Sequence, residues 1–135
     1  MILGVNHVAL SVPNMAQALH FYCDLLGFRK LSDAGWPTGT ESADTILAVE
    51  GTSARVCHIG VDNLLIELFE FGDCSPKRQD PQRPVIDHGI THICLAVVDL
   101  DTEYERLLQA GMTFHSPPTE VGIPGVHTVY GRDPF

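Results

Sequence analysis

The chain has 135 residues, 44% of them hydrophobic, which fits one domain with enough apolar material for a core. Seventeen acidic residues against eight basic ones give a formal charge of −9, and no Lys/Arg cluster offsets it, so nucleic acid is a poor partner. No apolar stretch reaches the about 18 residues that a membrane span needs, and the opening residues show no basic leader, so a cytoplasmic location is expected.

From the N-terminus, His7 to Val12 predicts a strand, in which His7, Ala9 and Ser11 alternate with Val8, Leu10 and Val12. Asn14 is placed to cap a helix, with Gln17 three residues on as a capping box requires. Met15, Ala18, Leu19, Tyr22, Leu25 and Leu26 recur at helical spacing, and Gly27 ends the run. A polar loop is expected from Trp36 to Asp44, then strands at Ile46 to Val49, Arg55 to Val61 and Leu64 to Phe71. Asp62-Asn63 between the last two is a hairpin turn signal. The first module, 1–72, therefore reads β-α-β-β-β.

Residues 73–89 hold three prolines and mixed charges without periodicity and read as a linker. The second module, 90–135, opens with a strand through His92. A helix follows, capped by Asp99 or Asp101 and carrying Tyr104, Leu107 and Leu108. Short strands are expected at Met112 to His115 and at Val126 to Tyr130, before a turn at Arg132-Asp133-Pro134-Phe135. Compared with the first module, a last strand is missing from the second.

The two modules are copies. His7-Val8-Ala9-Leu10-Ser11-Val12-Pro13-Asn14-Met15 lies over His92-Ile93-Cys94-Leu95-Ala96-Val97-Val98-Asp99-Leu100, and each copy runs on into a helix that ends near a glycine. The four cysteines, Cys23, Cys57, Cys74 and Cys94, form no C-x-x-C pair, and three sit in apolar runs, so they read as reduced thiols.

The duplication singles out His7 and His92. Matched imidazoles on paired strands approach one point if the copies are related by an approximate twofold, which suits metal ligation. Glu67 is the next candidate, because a carboxylate inside the apolar run Leu64 to Phe71 is costly to bury without a partner or a metal. Glu67 and Glu70 are three apart on a strand and point to opposite faces, so one wet face does not explain both. A tight turn at Asp62-Asn63 places His58 opposite Glu67. There His58 is a partner for the carboxylate, a proton carrier or an exposed neighbour. Two imidazoles with one or two carboxylates suit one divalent ion of Ni, Zn, Co, Mn or Fe and leave positions open for a bidentate substrate. No nucleophile elbow, P-loop or dinucleotide fingerprint is present.

These residues carry a likeness. N-H-V-A-L-S-V-P-N-M with its helix ending F-Y-C-D-L-L-G-F resembles the first module of vicinal oxygen chelate proteins, the glyoxalase, bleomycin resistance protein and extradiol dioxygenase superfamily. T-H-I-C-L-A-V-V-D-L-D resembles the start of their second module, L-I-E-L-F-E-F the last strand of the first, and Y-G-R-D-P-F the turn before the final strand. The resemblance implies an α+β fold of two tandem βαβββ modules, with a curved mixed sheet around a central site in a single domain, 1–135. It implies His7, Glu67 and His92 as metal ligands, in the pattern of the glyoxalase I-like branch. A fourth ligand, a glutamate of the final strand, falls beyond Phe135. The activity implied is that of a metal-dependent lyase or isomerase of glyoxalase or epimerase type, acting on a small oxygen-chelating substrate through an enediolate, with Glu67 or the missing glutamate carrying the proton. An Fe(II) extradiol dioxygenase and a metal-free small-molecule binding protein are the alternatives. The family likeness also implies a homodimer. Trp36 in the loop 34–44 and His127 in the segment 117–127 are expected to frame the pocket.

Overall fold

The computed structural model describes residues 1–135 as two compact units, Met1–Arg78 and Gln79–Phe135. Unit 1 is built on a four-stranded sheet of order β1-β4-β3-β2, with β1 Val8–Ser11, β2 Arg29–Trp36, β3 Ser53–Val61 and β4 Leu64–Gly72. β1 runs parallel to β4, and the other neighbours are antiparallel. Parallel neighbours need a crossover, and here it runs through the helix and the two intervening strands.

The predicted helix forms as α1, Met15–Leu19, and continues as a π-helical turn, His20–Leu25. The side chain of Asn14 accepts the Gln17 amide at 2.9 Å, so the cap read from the sequence is in place. The wider turn brings Phe21 inward beside Met15, Ala18 and Tyr22, all of them buried. α1 packs on β4, and the sheet face that carries Cys57, Ile59, Ile66 and Leu68 is fully buried at those four residues. That face is the core of unit 1, and by strand alternation Glu67, Phe69 and Phe71 point to the opposite one.

Two elements of unit 1 differ from the sequence expectation. Ile46 to Val49 is not a strand: α2 spans Glu41–Leu47 and ends at Ala48 in a left-handed conformation. The short apolar run is not a buried one, since Ile46 is 83% exposed and Val49 51%. The strand that completes β-α-β-β-β is β2, whose sequence Arg-Lys-Leu-Ser-Asp-Ala-Gly-Trp shows no apolar alternation. It is an edge strand held by charge. Asp33 accepts two hydrogen bonds from Arg55 on β3, at 3.0 and 2.7 Å, and pairs with Lys30. The Arg55 guanidinium, with Lys30, holds the Asp33 carboxyl well below the usual carboxylate range. β2 also comes so close to β3 that a Cβ on Gly35 would lie 2.2 Å from the Ala54 carbonyl oxygen, which leaves room only for glycine.

Unit 2 holds α3, Leu100–Gln109, and two short ladders. β5 Thr113–Phe114 pairs with β8 Gly131–Arg132, and β6 Thr119–Glu120 with β7 His127–Thr128. Asp99, not Asp101, caps α3: its carboxylate accepts the Thr102 hydroxyl at 2.8 Å and the Thr102 amide at 3.4 Å. Leu107 is its buried residue and Tyr104 packs on Phe114. The strand expected through His92 is not formed. β1 exists because β4 supplies its ladder, and residues 90–98 have no such neighbour in unit 2. Cys94, expected inside an apolar strand, is accordingly exposed, while Cys57 is buried; all four cysteines are unpaired. Burial raises the Cys57 thiol above its ordinary range, which keeps it inert.

Candidate functional site

The Asp62-Asn63 turn fixes the register of β3 on β4, with Val61 opposite Leu64 and His58 opposite Glu67. β2 then sets Ser32 opposite His58, and β1 sets Ala9 opposite Glu67, with His7 one step before the strand. β2, β3 and β4 thus contribute Ser32, His58 and Glu67 to one row on the sheet face opposite α1, and His7, just before β1, extends it. His7 Nε2 lies 3.2 Å from Glu67 Oε2, and His58 Nε2 lies 3.3 Å from Glu67 Oε1. The His7 and His58 rings meet edge to face at 6.2 Å. The Glu67 side chain is only 18% exposed, against 37% and 34% for the histidines, so the carboxylate is the sheltered centre of the row.

Hydrogen-bond partners decide which ring nitrogen carries the proton. His7 Nδ1 is 2.8 Å from Asn6 Oδ1. A carboxamide oxygen only accepts, so a hydrogen on Nδ1 of His7 suits this contact, and a neutral ring would then present its Nε2 lone pair to Glu67. A lone pair and a carboxylate oxygen at 3.2 Å are two acceptors facing each other. A cation between two such acceptors would satisfy both. Two ligand atoms that share a divalent ion at about 2.1 Å each stand roughly 3.0 to 3.4 Å apart, and this pair falls in that range. The two atoms therefore fit adjacent positions of one ion. No set of three or more His, Cys, Asp or Glu side chains is arranged as it stands to hold one.

Trp36, also singled out from the sequence, lies elsewhere in unit 1. Trp36 is on the same sheet face at the far end of β2. It packs on Phe69 and Phe71 of β4, at 6.1 and 6.2 Å, over the small Ala54 and Val56 between them. Its indole N–H donates to the hydroxyl of Thr52, which itself donates to Asp44 at 2.6 Å. Asp44 also accepts the Gly51 and Thr52 amides. These bonds, led by the Thr52 hydroxyl, hold its carboxyl below the usual range. The stability they lend is present above the ordinary carboxylate pKa and is lost as the pH falls through the lowered one. Thr52 is 1% exposed, so Thr52→Val leaves both the Trp36 indole and Asp44 short of a partner. A loss of about 1–3 kcal/mol is expected in urea unfolding.

His92 and His127 belong to unit 2. The His92 ring packs edge-on to Tyr130 at 5.2 Å and its Nδ1 is 2.9 Å from the Thr91 hydroxyl. His127 sits on β7 opposite Glu120 and is exposed. Sequence reasoning missed Ser32, which lies in a strand without any apolar pattern, and Asn6, which is set only by the ring beside it.

A family model described as the Glyoxalase/Bleomycin resistance protein/Dioxygenase superfamily matches residues 4–135. The chain is 30% identical over 141 residues to a 2-epi-5-epi-valiolone epimerase of an Actinomyces species, covering 98% of this chain and 75% of that protein. It is 28% identical over 131 residues to a mitochondrial methylmalonyl-CoA epimerase of Dictyostelium discoideum, covering 93% and 68%. Among solved structures, a fosfomycin resistance protein from Listeria monocytogenes, complexed with Mn(II) and 1S,2S-dihydroxypropylphosphonic acid, superposes with a TM-score of 0.62 at 18% identity, over 98% of this chain and 86% of the other. No helix is long and apolar enough to cross a membrane.

Proposed function

The chain belongs to the glyoxalase/bleomycin resistance protein/dioxygenase superfamily, and from that premise we propose that it is a metal-dependent isomerase of the epimerase kind. The observation that carries this reading is the approach of His7 Nε2 to Glu67 Oε2, 3.2 Å apart on the sheet face opposite α1. His7 and Glu67 would hold one divalent ion. His92 enters the ligand set from the sequence, as the histidine at the matched place of the second copy. Two epimerases among the relatives, and manganese in a structural neighbour, support the same reading.

When bound, the ion supplies Lewis-acid polarisation of a substrate oxygen, an effect worth several kcal/mol. The substrate class that suits this is a small carbonyl compound with a second oxygen nearby and an acidic C–H between or beside them. Glu67 is the one carboxylate that the four strands direct to this face, so it is the group placed to take that proton. The Trp36, Phe69 and Phe71 cluster on the same face gives an apolar wall beside which the carbon skeleton can lie without water.

The test is solvent exchange. The purified protein, with its metal content measured, is incubated in D2O with a panel of cyclic α-hydroxy ketones and 2-substituted acyl thioesters, before and after chelator treatment. Metal-dependent deuterium incorporation at the carbon beside the carbonyl is the expected result. Binding of these compounds without exchange, by protein that takes up no metal, would leave a binding protein and refute the isomerase reading.

A further inference from the structure

The two oxygens of Glu67 do different things. Oε2 faces His7 Nε2, while Oε1 faces His58 at 3.3 Å. The state of His58 is set from its far side by Ser32. The Ser32 hydroxyl oxygen accepts the backbone amide of His58 at 3.3 Å and lies 2.8 Å from His58 Nδ1. With a lone pair engaged by the amide, the hydroxyl proton is free to donate to Nδ1. A neutral His58 that accepts this proton at Nδ1 carries its own hydrogen on Nε2, the nitrogen that lies 3.3 Å from Glu67 Oε1. The opposite tautomer would set a bare Nε2 against a carboxylate, leaving both acceptors without a proton between them.

The Asn6 carboxamide oxygen can only accept from Nδ1 of His7, whereas the Ser32 hydroxyl can donate to Nδ1 of His58, so the two rings have partners that suit opposite tautomers. We propose that His58 and Ser32 are positioning residues that tie down Oε1 of Glu67, so that the carboxylate offers a cation only Oε2, beside His7. The row Ser32–His58–Glu67–His7 crosses β2, β3 and β4 and ends at the residue before β1, so the sheet register sets these neighbours on either side of the carboxylate. One-oxygen ligation leaves a coordination position free for substrate that a two-oxygen carboxylate would fill.

This inference rests on the reading of Glu67 as a metal ligand, and the experiment separates the two. In metal-free protein, 15N correlation spectra of the histidine rings report the tautomers directly. His58 is expected as the Nε2–H form and His7 as the Nδ1–H form, and a neutral His58 with its hydrogen on Nδ1 overturns the proposal without any variant. Co2+ titration is then compared for the unsubstituted protein, His58→Leu, His58→Gln, Ser32→Ala and Ser32→Thr. Loss of an outer partner of a ligand weakens metal binding about 10–100-fold, which is the loss expected for His58→Leu. His58→Gln returns an N–H to Oε1 and is expected to restore most of the affinity; Ser32→Thr keeps the hydroxyl and is expected to bind as the unsubstituted protein does, with Ser32→Ala weaker. The visible bands of bound Co2+ should fall in intensity for His58→Leu as the freed Oε1 adds a ligand. Equal Co2+ affinity in the unsubstituted protein and His58→Leu, or a Gln variant as weak as Leu, overturns the positioning role while leaving Glu67 as ligand. No Co2+ uptake by the unsubstituted protein overturns the ligand reading and the inference together.

Discussion

Glu67→Ala is expected to abolish metal-dependent proton exchange and to weaken binding of a divalent ion by at least about 100-fold, with the fold retained. The loss is large because the carboxylate is a ligand, the site's negative charge and the proton acceptor at once. The fold survives because Glu67 is on the sheet face opposite α1, and no buried core residue depends on it. Glu67→Gln sharpens the test. Its amide oxygen can accept from His58, and its NH2 can donate to Nε2 of His7, so both neighbours stay satisfied without a cation. Unchanged or raised thermal stability, with weaker metal binding than the unsubstituted protein, is the expected pattern. Full metal content and full exchange in Glu67→Ala would remove Glu67 from the site.

Leu68→Ala is expected to do the reverse, lowering stability by about 2–5 kcal/mol while leaving metal affinity per folded molecule unchanged. Leu68 is the neighbour of Glu67 in sequence and points to the opposite face, where it is 0% exposed, opposite Cys57 and on the face that also buries Ile59 and Ile66. Truncation there leaves a cavity lined by close-packed side chains that have little room to collapse into it. Urea unfolding followed by circular dichroism measures the loss, and a change under about 1 kcal/mol would show that this face is not the core. The pair of variants, one residue apart, separates the two faces of β4 by their effects.

Much of unit 1 was legible because its signals are local. The Asn14 cap, the apolar spacing from Met15 onward and the Asp62-Asn63 turn each act over a few residues, and each appears where it was expected. The turn alone carried the prediction furthest, since a two-residue hairpin fixes register and so placed His58 across from Glu67. β2 was not legible. An edge strand with a wet face needs no apolar alternation, and it is held by Asp33 reaching Arg55, 22 residues away. Ile46 to Val49 misled for the converse reason: a short apolar run says nothing of burial until the chain around it is placed, and here it ends an exposed helix.

The sequence by itself determined the family, the α+β class and three of the four residues in the row, His7, His58 and Glu67. Those follow from motifs and from pairing rules that operate along the chain. Only the tertiary structure decided that Ser32 belongs with them, that Asn6 and Ser32 stand against Nδ1 of the two histidines, and that the segment after Ile90 lacks a ladder in unit 2. A hydrogen bond between strands, and a strand itself, exists only when a partner arrives from elsewhere in the chain, and no local pattern states which partner that will be.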